Sequence, residues 1–355
     1  MASIDLRSDT VTRPTEAMLE AMRHAELGDD GREGDPTVRR LEQLGASMLG
    51  KEAAIFVPSG TMANLCAVLT HTNRGSEVLL ERTSHILHSE NSGIAILGNL
   101  FHRALPGVRG AMDLAALDAA LSSGLAARGL AKPLVCMETT HNMAGGCVLP
   151  LDHMAAVYRM AKGHDASVHV DGARFFNAAV ALGVSADRIA AHTDSVCFCL
   201  SKGLSAPVGS LLCGSADFIG RARHFRRMLG GNMRQSGSLA AAGIVSLESM
   251  VARLAEDHAC ARLLAQGFQS VDAGLVDASA IETNIVRVAV DGSGRTARQW
   301  VEALGKEGIL VGDYGTAQLR FVTHRHIGRA EVDAAVAAVG KVWQAARTKA
   351  GGAVA

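Results

Sequence analysis

The chain has little aromatic content: Trp, Tyr and Phe together make up 4% of 355 residues, against 38 glycines. That balance suits tight turns and backbone held close to a ligand. Charge of one sign is also lacking, because Lys+Arg and Asp+Glu both number 35. Neither nucleic acid nor an acidic membrane surface is therefore expected as a partner. The 7 cysteines include no Cys-x-x-Cys pair, and most sit in apolar runs. They read as reduced core residues, with no metal-ligand spacing among them. No apolar run reaches the ~18 residues of a membrane span, and Met1-Ala-Ser-Ile-Asp-Leu-Arg7 has no signal-peptide core. The expectation is a cytoplasmic protein without internal repeats or low-complexity segments.

What is present is an alternation of strands and helices. Pro14 opens a helix over Thr15–Arg23, and Gly28–Pro36 reads as a loop. Thr37–Leu49 has helical spacing, with Val38, Leu41, Leu44 and Met48 on one face. Ala53–Val57, Glu77–Leu80, Leu134–Glu138, Ser167–Asp171, Ser195–Leu200 and Gly209–Gly214 read as strands, interleaved with helices over Thr61–Leu69 and Ala111–Leu125. A Gly/Ala break follows Leu125. The strand runs are continuously apolar, as in a sheet covered by helices on both faces. The pattern predicts an α/β domain with a mainly parallel sheet, over residues 1–250. One long helix, Gly237–Leu264, leads into a smaller α+β domain over 251–355, closed by a helix over Ala330–Ala346 and a loose tail from Gly351.

The chemistry concentrates where two strands end. Ser195–Leu200 runs into Ser201-Lys202-Gly203, and Ser167-Val-His-Val-Asp171 runs into Gly172-Ala-Arg174. Ligands of parallel sheets sit outside the carboxyl ends of the strands. An amine and a carboxylate delivered there are what pyridoxal phosphate requires: a lysine for the Schiff base and an acid for the pyridine nitrogen. Pro58-Ser59-Gly60-Thr61 joins a strand to a helix and offers backbone N–H groups and two hydroxyls to a phosphate. Arg174 and Arg320 are candidates for clamping a substrate carboxylate. His85 and His88 are candidates for stacking on a cofactor ring or moving a proton. His169 shares a strand face with Asp171, either to support it or as a core histidine. Arg221, Arg223, Arg226 and Arg227 form a basic cluster, either a solvated face or a phosphate contact.

Taken together, these words resemble the low-specificity L-threonine aldolases of the β-eliminating lyase group. They include Asp5-Leu-Arg-Ser-Asp-Thr-Val-Thr-Arg-Pro14, Ser59-Gly-Thr61, Thr140-His-Asn142, His169-Val-Asp-Gly-Ala-Arg174, Leu200-Ser-Lys-Gly-Leu204, Met233-Arg-Gln-Ser-Gly237 and Val322-Thr-His324, in that order from Ile4 to about Gln344. The resemblance implies the fold type I pyridoxal phosphate architecture: a large domain with a mainly parallel central sheet plus a smaller C-terminal α+β domain. It implies Lys202 as the cofactor lysine, Asp171 on the ring nitrogen and His85 stacked on the ring. Ser59, Gly60 and Thr61 would take the phosphate. Ser8, Arg174 and Arg320 would take the substrate carboxylate. Arg234 and Arg227 would reach the cofactor of a neighbouring subunit in a homotetramer with shared active sites.

The implied reaction is retro-aldol cleavage of a β-hydroxy-α-amino acid to glycine and an aldehyde. The alternative is another pyridoxal phosphate-dependent lyase or a racemase. His85, His88 or a water is the expected base. Four departures fall at the side-chain end of the pocket, one of them Ser92-Gly93 where the family usually has Gly-Gly. Arg32 stands where the family has tyrosine, and Ser89 where it tends to have an aromatic residue. No histidine occurs between His102 and His141, where the family has its second; Arg128 is nearest in register. Arg32, with His88, is therefore expected to meet the substrate side chain, and the preferred β-substituent to be larger or more polar than methyl.

Overall fold

The computed structural model describes residues 3–125, 128–129 and 131–351. The chain opens with β1 (Ile4–Asp5), α1 (Glu16–Arg23), α2 (Pro36–Met48), β2 (Ala53–Val57), α3 (Gly60–His71) and β3 (Glu77–Glu81). It continues through α4 (His85–His88), α5 (Gly93–Ile96), β4 (Phe101–Leu105), the small hairpin β5 (Gly107–Val108) and β6 (Ala111–Met112), α6 (Leu114–Ser123), β7 (Leu134–Glu138) and α7 (Leu151–Gly163). Next come β8 (Ser167–Asp171), α8 (Phe175–Leu182), α9 (Ala186–Ala190), β9 (Ser195–Cys199), β10 (Ser210–Gly214), α10 (Ala216–Met228) and α11 (Gly237–Val245). The last elements are α12 (Leu254–Val271), β11 (Ile285–Ala289), α13 (Ala297–Lys306), β12 (Ile309–Leu310), β13 (Gly312–Tyr314), β14 (Gln318–Val322) and α14 (Arg329–Gly351).

Two compact units result, one over Arg13–Ala252 and one made of the segment up to Thr12 with the chain from Arg253 onward. The larger unit holds a sheet in the order β2-β10-β9-β8-β7-β3-β4. Only β10 runs antiparallel, to both β2 and β9. The other neighbouring strands are parallel. All five residues of β7 and of β9 are buried, as a sheet covered on both faces requires. The helices start where side chains satisfy their first N–H groups. Asp35 accepts from Thr37 and Val38 ahead of α2, Pro36 fills its first turn, and Ser59 accepts from Met62 at α3.

The smaller unit packs α12, α13 and α14 with the sheet β11-β14-β13 around Trp300, Phe268 and Phe321. Its make-up corrects the expected division. The N-terminal segment belongs here and not to the large domain, because β1 pairs in parallel with β12 and Leu6 sits in this core. The long helix expected over Gly237–Leu264 is interrupted. It widens to a π turn at Ser246–Met250, and α12 begins afresh at Leu254. Ser246 and Ser249 hydroxyls donate to the Ala242 and Val245 carbonyls, competing with the helix's own N–H groups. Helix α6 starts at Leu114 and not Ala111, because Asp113 caps it after β6. The edge strand β4, largely exposed and carrying His102 and Arg103, has no apolar run to announce it. Residues 352–355 of the expected loose tail, and Ala126 and Ala127 of the Gly/Ala break, lie outside the described residues. Among the described residues no single helix is long and apolar enough to cross a membrane.

Candidate active site

Parallel pairing sets Asp171, the last residue of β8, beside Cys197 in the middle of β9. Both strands then turn. Gly172 leaves β8 so tightly that a Cβ there would meet the Cys197 carbonyl oxygen at 2.5 Å. Past β9 the chain reaches Lys202, half-buried, which lines a narrow cleft with Arg174, Cys199 and Asn177. One chain encloses about 10 Å³ there. A larger hollow of about 440 Å³ lies at the opposite end of β2, among Arg39, Glu42, Lys51 and Arg223. Arg174 Nη1 donates to Asn142 Oδ1 at 3.4 Å.

Asp171 is buried and held by named donors. Asn64 Nδ2 donates to its Oδ2 at 2.9 Å, and the Ala173 N–H to its Oδ1 at 3.1 Å. Asn64 Nδ2 also donates to Glu90 Oε1 at 2.8 Å. The same Glu90 oxygen takes the Nδ1 proton of His85 at 3.1 Å. The Glu90 hydrogen bond raises the His85 pKa above its ordinary value. Burial pushes the Glu90 carboxyl up as well. Two donors converging on one oxygen nonetheless match an acceptor-only carboxylate. The backbone N–H of His85 donates to Glu138 Oε2 at 2.7 Å, and Glu138 Oε1 takes the Asn142 N–H at 2.8 Å. Glu138 thus ties the start of α4 to the loop that meets Arg174. Ligand atoms of His85, Glu90 and Asp171 lie within 4.8 Å of one another, close enough in principle for a cation. Hydrogen bonds from Asn64, Ala173 and the His85 ring already engage these carboxylates.

At the start of α3 Gly60 sits so close to β9 that a Cβ would meet Cys199 Sγ at 2.8 Å and Ser210 Oγ at 3.7 Å. Ser210 Oγ is buried and has no hydrogen-bond partner. Ser59 and Thr61 flank Gly60 with exposed hydroxyl-bearing side chains. A helix N-terminus, a close backbone and an unsatisfied hydroxyl suit a phosphate.

The remaining expected residues lie as follows. His88 is exposed, and its Nε2 lies 2.6 Å from the Arg82 carbonyl oxygen, to which it must donate. That nitrogen is not a base. Arg32 is exposed on the loop after Gly28, 3.8 Å from Asp29. Arg234 approaches Asp29 at 3.6 Å and is mostly exposed, as is Arg227 at the end of α10. Arg226, by contrast, is buried against Asp30 at 2.8 Å and the Phe56 carbonyl at 2.9 Å. It is neither on a solvated face nor aimed at a ligand. In the smaller unit, Ser8 caps a short turn through the Thr10 N–H, and Arg320 Nη2 donates to the Arg7 carbonyl at 3.2 Å. His169 meets Asp171 through Asn64: its Nε2 lies 3.0 Å from Asn64 Oδ1, and Asn64 Nδ2 donates to Asp171.

The family model of the β-eliminating lyases matches residues 5–291. A probable low-specificity L-threonine aldolase of Arabidopsis thaliana is 44% identical over 96% of this chain and 97% of its own length. The chain belongs to the β-eliminating lyase family, within its low-specificity L-threonine aldolase group. A low specificity L-threonine aldolase of Escherichia coli K12 is 41% identical over 96% of this chain and 98% of its own. Among solved structures, a threonine aldolase from Leishmania major superposes with a TM-score of 0.82 at 18% identity, covering 96% of this chain and 99% of that one. That last likeness speaks for the fold, which is the type I architecture expected from the sequence. Glu90, Asn64 and Glu138 are the site residues that sequence reasoning missed. A signal for Asn64 existed: it is the polar break in Ala63-Asn-Leu-Cys-Ala-Val-Leu69, an otherwise apolar stretch of α3.

Burial also makes the site acid-sensitive. It pushes the His169 pKa down to about 4 and that of His71 down to about 3. Unfolded histidines take up a proton near 6.5, whereas these folded ones do not until far lower pH. The unfolded state therefore binds more protons, and stability present above about pH 6.5 is lost as the pH falls toward 4. Thermal melts across that window should show a falling Tm, with a shallower fall in His169→Gln. An equal slope in both proteins would contradict this assignment.

Proposed function

We propose that this family member is a pyridoxal phosphate-dependent aldolase that cleaves a β-hydroxy-α-amino acid into glycine and an aldehyde. The observation that carries the reading is the pair of strand ends. Lys202 and the buried, hydrogen-bonded Asp171 stand there in a chain that matches low-specificity L-threonine aldolases over nearly its whole length.

The residues fit the cofactor. Lys202 would hold it covalently, and the Gly60 end of α3, with Ser59, Thr61 and Ser210, would receive its phosphate. When bound, the group supplies a sink for the electron pair left at Cα. Asp171, fixed as an acceptor by Asn64 and Ala173, would take the hydrogen bond of the protonated ring nitrogen. Arg174 offers its planar fork to the α-carboxylate and so orients the Cα–Cβ bond. His85 places its Nδ1 proton on Glu90, which leaves Nε2 of the neutral ring to take the β-hydroxyl proton. Loss of that proton, cleavage of Cα–Cβ and reprotonation at Cα give one aldehyde and one glycine. Exposed Arg227 and Arg234, together with the exposed apolar residues Ile96, Leu97 and Phe101, support an assembly of several copies, a homotetramer with shared sites being the form we favour.

Arg32 and Ser89 motivate a preference at the aldehyde end. Across threo and erythro β-hydroxy amino acids, glycine and aldehyde should appear in equal amounts, with kcat/KM highest for substituents larger or more polar than methyl. Products other than glycine would overturn the aldolase reading. A clear lead for threonine and allo-threonine would overturn only the preference.

A further inference from the structure

An unbroken line of hydrogen bonds crosses the interface between α3 and the sheet. Beyond Asn64 and Asp171 it uses groups that the proposed reaction does not touch. His71 Nε2 lies 2.8 Å from Ser195 Oγ, and Ser195 Oγ lies 2.9 Å from His169 Nδ1. His169 Nε2 lies 3.0 Å from Asn64 Oδ1, and Asn64 Nδ2 lies 2.9 Å from Asp171 Oδ2. Local periodicity explains how the pieces meet. Asn64 and His71 are seven apart on α3, and so share a face. His169 and Asp171 share one face of β8, and Ser195 stands opposite His169 across the pairing with β9.

The line has one direction. Asn64 must turn its amide N–H groups to the two carboxylates, Asp171 and Glu90, so its oxygen faces His169. His169 therefore carries its proton on Nε2, and its Nδ1 accepts. Ser195 then donates to Nδ1 and accepts from His71. Cys197 Sγ, kept a thiol by burial, donates to the second lone pair of Asn64 Oδ1 at 3.0 Å. Asn64 thus has both donors and both acceptor sites used. Every proton in the sequence points toward Asp171.

Such a seam is costly where apolar packing is the alternative. Ala63, Cys66 and Ala67 of the same helix pack into a buried apolar cluster, while Asn64, His169 and Ser195 are themselves buried. Buried polar groups are tolerated only when fully satisfied, and a fully satisfied network fixes one arrangement. His71, the far end, is half-buried and stacks on Phe218 at 4.4 Å.

We propose that His71, Ser195 and His169, acting through Asn64, are positioning residues that hold Asp171 in one rotamer as a pure acceptor, and so tune the cofactor it faces. This rests on the pyridoxal phosphate reading above. The charged and titratable groups facing Asp171 are Glu90, Glu138, His85, His169, Cys136 and Cys197. Those facing His71 are Arg221, Lys162 and His169.

The test uses Ser195→Ala, His71→Leu, their double variant and His71→Gln, which keeps an N–H donor. With pyridoxal phosphate added, Ser195→Ala and His71→Leu should each lower kcat about five- to tenfold, the loss of one hydrogen bond, with KM unchanged. Each should also move the pH midpoint of the visible absorption band. The double variant should be no worse than either single one, and His71→Gln should restore the native midpoint. An unmoved midpoint in both single variants, or losses that multiply, overturns the proposal. If His71→Leu does not fold, Ser195→Ala, which removes one atom, carries the same decision. A readout independent of the cofactor is the 15N spectrum of the protein before loading. His169 protonated on Nδ1 overturns the relay; protonation on Nε2 in both proteins, with an Nδ1 resonance that shifts in Ser195→Ala as its hydrogen-bond donor is lost, supports it. A wild-type protein that acquires no visible band would instead count against the functional reading.

Discussion

Lys202→Ala is expected to abolish the visible absorption of the cofactor-loaded protein and to lower aldol cleavage by about 10,000-fold or more. The reason is local. Lys202 follows a fully buried strand by three positions, and it lines the same cleft as Arg174. In the described residues of the larger unit the other lysine with comparable burial, Lys51, is committed elsewhere. Its Nζ donates to the Ala190 and Thr193 carbonyls at 2.9 and 2.7 Å, at the other end of β2 from Ser59. Lys51 should therefore not substitute, and Lys51→Ala serves as the matched control. Lys202→Ala must be assayed alongside a melting curve, since a half-buried lysine removed from a loop should cost little stability. Retained absorbance with a native melt would remove Lys202 from the site.

Asp171 is expected to give the next largest effect, and two substitutions separate its charge from its shape. Asp171→Asn keeps the volume and one acceptor oxygen but no negative charge. It should lower kcat by about 100- to 1000-fold, the scale seen when a pre-set electrostatic partner is lost. Asp171→Ala should lose at least as much activity and, in addition, about 1–3 kcal/mol of stability. It strands the Asn64 and Ala173 donors in a buried space. Differential unfolding of the two variants measures that second part. If Asp171→Asn kept near-native kcat, charge at this position would have no part in the reaction.

Much of the site is legible in the amino-acid order alone, for a physical reason. Apolar strand runs end abruptly, and in a parallel sheet every such end lies on the same side. Lys202, Asp171, Arg174 and the Ser59–Thr61 turn can therefore be grouped from their places along the chain. The helix start at Gly60 is equally visible, because capping chemistry is local. The apolar spacing ends that helix at Leu69, two residues short of His71, and so leaves the far end of the relay unseen. His88 is an equal of His85 in sequence. Only the hydrogen bond of its Nε2 to the Arg82 carbonyl sets it apart. Arg226 is indistinguishable from Arg221, Arg223 and Arg227 until its burial against Asp30 is seen.

The sequence by itself determined the fold class, the two strand-end groups and the family, because each depends on residue type at short spacing. The tertiary structure decided which groups act together. Glu90 reaches His85, Asn64 reaches both carboxylates, and β1 joins the smaller unit. Hydrogen bonds act over about 3 Å and have a direction. Periodicity tells which face a side chain occupies, but not which partner waits there or which atom carries the proton.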